Sequence, residues 1–352
     1  MSLTQVPHEA IHNFEHDATG VRGLVAIHST ALGPAVGGCR IWHYDNEGDC
    51  VRDVLRLSEG MTYKNALAGL PFGGGKAVLM LGHHQVLGKE ERRLLLSAFG
   101  EFIEKLEGRY ITAEDVGSSP ADMVAVASRT RFVAGLPIKN AAAGGDPSPW
   151  TALGVFLSMQ AAARHRYGSD LAGMTVGVQG LGHVGMDLCS KLHGSGAHLL
   201  ISDIDAEKCT KAAREFGAQI FSSSEMINRP MDIFAPCAMG GILDKNSVDA
   251  LQATIVCGAA NNQLATTDQG QQLSDRKILY APDYLVNAGG IINVSAEYLG
   301  ESTSSVEQRV RAIPDRLLRL VRKSEATGEP MNELADNAAR AIVQQARAGK
   351  VA

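Results

Sequence analysis

The sequence predicts a two-domain α/β protein whose C-terminal half is built on a doubly wound parallel sheet. Three observations lead there. The chain has 352 residues, which is about two domains at roughly 150 residues each. Between Thr175 and Ala281, short β-branched runs alternate with helical patterns, as a parallel sheet with helices on both faces requires. The 38 glycines cluster at Gly37-Gly38, Gly73–Gly75, Gly144-Gly145, Gly240-Gly241 and Gly289-Gly290. Clusters of this kind suggest backbone brought close to ligands, not a flexible linker.

The elements follow in chain order. Val51, Val54, Leu55 and Leu57 predict a helix continuing toward Met61, and Leu94, Leu95, Phe99, Phe102 and Ile103 predict another, longer one. Gly144-Gly-Asp-Pro-Ser-Pro149 is rich in helix breakers and reads as the connection between domains. Strands are expected at Thr175–Gln179, His198–Asp203, Gln219–Phe221, Met231–Ala235, Thr254–Cys257 and Ile278–Ala281. Val184, Leu188 and Leu192 recur at helical spacing between the first two, with Gly194 and Gly196 as stops. From Glu329 the chain is Ala-rich and helical, ending at Gly349.

Composition narrows the function. Apolar residues at 45% and charged residues at 20% exclude bulk disorder. The net charge is −5 with no basic stripe, so nucleic acid is not an expected partner. No apolar run approaches the ~18 residues of a membrane span, and Met1–Ala10 lacks a signal-peptide pattern. The expectation is a soluble, cytoplasmic protein without a membrane partner. Six scattered cysteines, with no C-x-x-C pair, read as free thiols, and no metal site is expected.

Gly180-Leu-Gly-His-Val-Gly185 fits G-x-G-x-x-G, a string expected by chance about 0.4 times in a chain this rich in glycine. Its context is more specific. A strand precedes it, a helix follows, and the next strand ends on Asp203 near the ~20-residue offset of a ribose-binding acid. Gly180 would make the tight turn, Gly182 would let a pyrophosphate approach, and Gly185 would let helix and strand pack. An acid at Asp203 would repel a 2′-phosphate, which favours NAD over NADP. This is the dinucleotide-binding pattern of a Rossmann domain; the bland alternative is a glycine-rich turn with a surface Asp.

Gly73-Gly-Gly-Lys76 fails as a Walker A loop, because Leu70 stands at the first glycine position and Ala77 at the Ser/Thr position. What remains is a lysine on glycine-rich backbone, twelve residues after Lys64. Two lysines brought together and partly desolvated could divide the work, one acting uncharged as a base and the other binding a carboxylate. Singly, each reads as a solvated surface lysine. Thr112-Ala-Glu-Asp-Val-Gly117 holds two adjacent acids, of which a strand can aim only one into a site. Gly258–Gln263 and Asn287–Gly290 follow strands of the second half, where ligands of open α/β sheets gather, although each alone reads as a turn. His8-Glu-Ala-Ile-His12 matches the H-E-x-x-H zinc string and is read as chance.

Taken together, these segments resemble one family, the amino-acid dehydrogenases of the leucine, valine and phenylalanine group, relatives of glutamate dehydrogenase. The matching segments are Leu32–Arg40, Gly60–Lys64, Gly73–Lys76, Ile111–Val116, Pro147–Thr151, Gly180–Gly185, Ala235–Ala238, Gly258–Asn262, Ala281–Asp283 and Asn287–Gly290. They run in the family's order from about residue 24 to 345. The resemblance implies a substrate and dimerisation domain over 1–137, an NAD-binding Rossmann domain over 138–324, and a final helix, about 325–352, returning to the first domain. It implies a cleft that closes on substrate, a homo-oligomer of unfixed size, and reversible oxidative deamination of an L-amino acid to its 2-oxo acid and ammonium.

Carried over by the resemblance, Lys64 is the lysine that holds the substrate α-carboxylate, with Gly37, Met61 and Asn262 close by. Lys76 is the base that activates water, and Asp115 shuttles protons to and from the amine. Leu181, His183 and Val184 complete the pyrophosphate turn, and Thr151, Ala238 and Asn261 are nicotinamide-side contacts. Val36, Ala113, Ile291 and Val294 line the side-chain pocket. All four are apolar, which disfavours glutamate and favours a branched-chain substrate. Three departures bear on substrate: Gly185 matches phenylalanine-type members, and Trp150 and Phe72 stand where smaller or polar residues are common. The competing expectations are an aromatic amino-acid dehydrogenase of the same fold and a non-catalytic NAD-binding sensor.

Overall fold

A computed structural model describes residues 8–137 and 143–351. Residues 1–7, part of the segment read for targeting, and 138–142, where the second domain was expected to begin, lie outside the described residues. Contacts divide the chain into two units: Met1–Asp146 with Asn293–Thr303 and Ala339–Ala352, and Pro147–Ile292 with Ser304–Ala338. The sequence reading had no separate place for the Asn293–Thr303 return.

In the first unit, strands β1 (Ala10–His16), β2 (Val21–Ser29) and β3 (Ala35–His43) lead into helix α1 (Glu47–Ala68). Then come β4 (Gly73–Leu81), α2 (Lys89–Glu104), β5 (Tyr110–Glu114) and α3 (Pro120–Ala127). The helix expected to be the longer, α2, has 16 residues against 22 in α1. α1 gains its length from strong ends: Asn46 accepts a capping bond from the Asp49 amide, and Gly69 closes the helix at φ +67°. The strands form one mixed sheet in the order β1-β2-β4-β3-β5, with β3 parallel to both β4 and β5. Cys50 and Val54 of α1 pack on Ala26 and Val78, which fixes α1 on that face of the sheet.

The second unit begins with α4 (Ser148–Tyr167) and alternates thereafter. β6 (Thr175–Gln179), α5 (His183–Gly194), β7 (His198–Ser202), α6 (Ala206–Phe216) and β8 (Gln219–Ile220) make its first half. α7 (Ser223–Ile227), β9 (Ile233–Pro236), α8 (Lys245–Ala250), β10 (Ile255–Val256), α9 (Asp268–Asp275), β11 (Leu279–Tyr280) and α10 (Asp283–Val286) make its second. All pairings are parallel and the order is β11-β10-β9-β6-β7-β8. Counted from β6, that is the 3-2-1-4-5-6 order of a Rossmann domain. Right-handed crossovers running outward in both directions from β6 place helices on both faces. α11 (Gly289–Tyr298) passes into the first unit, α12 (Thr303–Arg311) and α13 (Ile313–Thr327) return to the second, and α14 (Met331–Val351) passes back, running beyond Gly349. No described helix is long and apolar enough to cross a membrane.

Candidate active site

Several of the residues singled out in the first unit share one face of its sheet. Opposite residues of paired strands point the same way, and alternate residues along a strand share a face. Val36 pairs with Gly74 and with Ile111, and Gly38 pairs with Ala113, so Val36, Gly38, Ala113 and Lys76 lie on one side. Ala26 pairs with Lys76 and Val78 alternates with it, so α1 covers this same side.

Glycines make the approach possible. A Cβ on Gly74 would stand 2.1 Å from the Thr62 amide nitrogen, so only glycine lets α1 lie this close to β4. A Cβ on Gly38 would stand 2.7 Å from the Asp115 Cβ. Gly73–Gly75 thus form strand rather than a ligand-binding loop. Met61 and Lys64, three residues apart, project from neighbouring positions on α1. Lys64 is half-buried.

Lys76 and Asp115, 39 residues apart, meet with Nζ 2.8 Å from Oδ2, and the lysine side chain is only 6% exposed. Arg40 donates from Nε to the same oxygen at 3.0 Å. Burial works to raise the Asp115 carboxyl, but the Lys76 ammonium and then the Arg40 guanidinium outweigh it and hold it below its ordinary value. Burial pushes the neighbouring Cys39 thiol far up, so it stays protonated. Glu114 is pushed the other way from Asp115: burial, then Asp146 and Glu297, raise it. The two adjacent acids therefore behave as different groups, as their opposite orientation requires.

Val36, Ala113 and Val294 are buried, and Ile291 is half-buried. Ile291 and Val294 lie three apart on α11, on one side of that helix. Phe72 is buried edge-on to Tyr298, with centroids 6.1 Å apart.

In the second unit the glycine turn has the geometry its motif implies. Gly180 sits at φ +100°, and a Cβ there would strike Ala238 at 2.6–2.8 Å. A Cβ on Gly185 would stand 1.9 Å from the Gly180 carbonyl oxygen, so helix and turn touch through backbone. Gly182 has open space where a Cβ would be, and it caps α5 without any side-chain hydrogen bond. The first turn of α5, His183 to Gly185, therefore starts on a glycine cap and suits a phosphate. Asp203 closes the turn, accepting from the Leu181 amide at 2.5 Å through Oδ2 and from the Asp205 amide at 2.9 Å through Oδ1. Each oxygen retains accepting capacity for a ribose hydroxyl. These residues fit a dinucleotide.

Other loops at the carboxyl ends of the strands gather there. Asn287 donates to Asn261 Oδ1 at 2.8 Å and to the Ala259 carbonyl at 3.0 Å. Asn262 holds φ +53°, and its carbonyl accepts from the Gly241 amide at 2.7 Å. Thr151, in the first turn of α4, lies against Gly290, whose Cβ would stand 2.7 Å from its Oγ1. Sequence reasoning left Arg40 without a role and named Asn287 only as part of a turn where ligands gather. The place of Arg40 on β3, at the end of the matching segment Leu32–Arg40, was the available signal. A groove of about 380 Å³ beside β11, lined by Arg166, Leu279, Tyr280, Val321 and Met331 among others, contains none of these residues.

The His8–His12 string does not lie on a helix, as the H-E-x-x-H zinc string does. His12 lies on β1, His8 precedes it and bonds to Ser58 at 2.8 Å, and no metal-binding cluster occurs among the described residues.

Residues 8–132 match the family model for the Glu/Leu/Phe/Val dehydrogenase dimerisation domain, and residues 200–350 match that for glutamate/leucine/phenylalanine/valine dehydrogenase. The chain is 42% identical to a leucine dehydrogenase of Thermoactinomyces intermedius, covering 94% of this chain and 89% of that one. It is 43% identical to a valine dehydrogenase of Streptomyces virginiae, covering 97% and 95%. The crystal structure of L-tryptophan dehydrogenase from Nostoc punctiforme, 40% identical, matches with a TM-score of 0.82 over 97% of each chain. The chain belongs to the glutamate/leucine/phenylalanine/valine dehydrogenase family and is an oxidoreductase, an amino-acid dehydrogenase.

Proposed function

We propose that this enzyme catalyses the NAD-dependent, reversible oxidative deamination of an apolar L-amino acid, with branched side chains preferred. The observation that carries the reading is the pairing of buried Lys76 with half-buried Asp115, the lysine on the sheet face that also bears apolar Val36 and Ala113. Amino acid, NAD⁺ and water give 2-oxo acid, ammonium, NADH and one proton.

NAD supplies the hydride acceptor, and the chain's own residues do the rest. Lys64 neutralises the α-carboxylate. Lys76, working uncharged, takes a proton from the water that adds to the iminium carbon of the substrate. Asp115 exchanges protons with the nitrogen, so that ammonia departs as ammonium. Asp203 disfavours a 2′-phosphate by charge. Val36, Ala113, Ile291 and Val294 offer no cation to a side-chain carboxylate, and burying one unpaired costs several kcal/mol or more. The dimerisation domain matched over 8–132 supports a homo-oligomer.

A second reading is an aromatic amino-acid dehydrogenase. It draws support from the L-tryptophan dehydrogenase of Nostoc punctiforme, 40% identical over 99% of this chain. The test is NADH formation with leucine, valine, isoleucine, phenylalanine, tryptophan and glutamate. Turnover led by the branched-chain set supports the main reading. Turnover with aromatic substrates alone, or with glutamate, overturns the pocket assignment. Loss of all turnover in protein that still binds NAD overturns the reaction.

A further inference from the structure

Asp115 is held from two sides, and its two cations are not equivalent. Lys76 Nζ and Arg40 Nε both lie on Oδ2, at 2.8 and 3.0 Å. No hydrogen bond among the described residues reaches Oδ1. Arg40 is itself anchored. Its Nη1 donates to Asp53 Oδ2 at 2.8 Å, and the Tyr44 hydroxyl donates to that same oxygen at 2.6 Å. Asp53 stands on α1, so a relay from Tyr44 through Asp53 and Arg40 ends on the reacting carboxylate.

The reaction changes the charge on one of these cations. Lys76 must be neutral when it accepts a proton from water, and at that moment its ion pair with Asp115 is lost. A guanidinium keeps its charge at every working pH. Arg40 continues two residues along β3 from Gly38, on the face that carries Lys76.

We propose that Arg40 is a positioning residue for Asp115: a permanent cation that pins Oδ2 while Lys76 changes charge, leaving Oδ1 to meet the substrate amine. This rests on the roles of Lys76 and Asp115 given above. Asp53 and Tyr44 aim the guanidinium; Cys39 and Tyr110, two further titratable neighbours of the carboxylate, stay protonated and neutral because burial pushes both up.

The test uses the full-length enzyme as Arg40→Gln, Arg40→Lys, Asp53→Asn and Asp115→Asn. Steady-state kinetics across pH, NADH binding by fluorescence and thermal melting are measured on each. Arg40→Gln is expected to lower kcat by about 100-fold, with KM for the amino acid and NADH binding nearly unchanged. Its acidic limb in kcat/KM should move to higher pH by about one unit, because one of two opposite charges is gone. Arg40→Lys should recover about tenfold of the loss, since it restores charge without the fork. A melting shift with an unmoved pH profile, or Lys no better than Gln, overturns the proposal. Where Arg40→Gln does not fold, Asp53→Asn decides: it keeps both cations but frees the guanidinium, so kcat should fall about tenfold with the limb in place. Unchanged kcat there overturns the anchoring. Asp115→Asn separates this from the reading beneath it, because wild-type turnover in that variant would dismiss Asp115 itself, whatever Arg40 does.

Discussion

Gly74→Ala adds one methyl group at the point where α1 meets β4. Its Cβ would lie 2.1 Å from Thr62 N, 2.3 Å from Thr62 Oγ1 and 2.5 Å from Thr62 Cα. Ordinary contact begins near 3.4 Å, and two of the three atoms are backbone, so no rotamer change relieves the clash. α1 must retreat by roughly 1 Å, at an overpacking cost of about 1–3 kcal/mol. For a chain of this size that lowers the melting temperature by roughly 1–4 °C. The helix carries Met61 and Lys64, and a displacement of about 1 Å in a positioning element can cost about 100-fold in kcat/KM. Gly60→Ala is the control. It sits on the same helix with nothing within 4 Å of its Cβ, and should stabilise by about 0.5–1 kcal/mol. Thermal melts and amino-acid kinetics on both variants, with NADH binding as a check on the second unit, decide the matter. Wild-type stability and kinetics in Gly74→Ala would refute the reasoning.

Three further outcomes are expected. Lys76→Ala should lower turnover by about 100- to 10,000-fold while NADH binding persists, and near-wild-type rates would remove Lys76 as the base. Asp203→Ala should weaken NAD and relax discrimination against NADP. It also takes the acceptor from the Leu181 amide, so NADP should not bind as tightly as NAD does in the wild type; an unchanged cofactor preference contradicts the assignment. Glu114 keeps its proton to higher pH in the fold than in the unfolded chain. It therefore favours the fold below about its ordinary 4.5, and that contribution is lost as pH rises through its raised folded value. Glu114→Gln should accordingly melt higher than wild type at pH 7, with the gain vanishing toward pH 4; a gain independent of pH would point to packing instead.

The strands of the second unit were legible because their β-branched runs stand between clear stops, and β6 begins and ends where the sequence placed it. β7, β8, β10 and β11 were read one residue long at one or both ends, since ladder pairing ends before the apolar run does, and β9 was read two residues early and one short, running Ile233–Pro236. β3 and β4 were harder. Gly37-Gly38 and Gly73–Gly75 have no strand propensity, and glycine clusters read as ligand loops. They are strands because a neighbouring backbone needs the space a Cβ would fill. The meeting of Lys76 with Asp115 could not be read from spacing, because it depends on β3 lying between β4 and β5. Arg40 went unassigned for the same reason: its worth comes from Asp53 on α1 and Asp115 after β5, neither of which is near in sequence.

The glycine-spaced sheet of the first unit has a consequence for how such an enzyme can diversify. Lys76 and Asp115 are set on backbone that leaves no free room for a Cβ at Gly38 or Gly74, so any substitution at those glycines carries a packing cost. Val36 and Ala113 project from the same strands but are defined by their side chains alone. A library that randomises those two positions and leaves the glycines fixed should yield folded variants with shifted substrate range. One that randomises the glycines should yield mostly destabilised protein with lowered turnover. On the roles proposed above, chemistry and selectivity would be written on the same strands in separable alphabets, one of backbone and one of side chains.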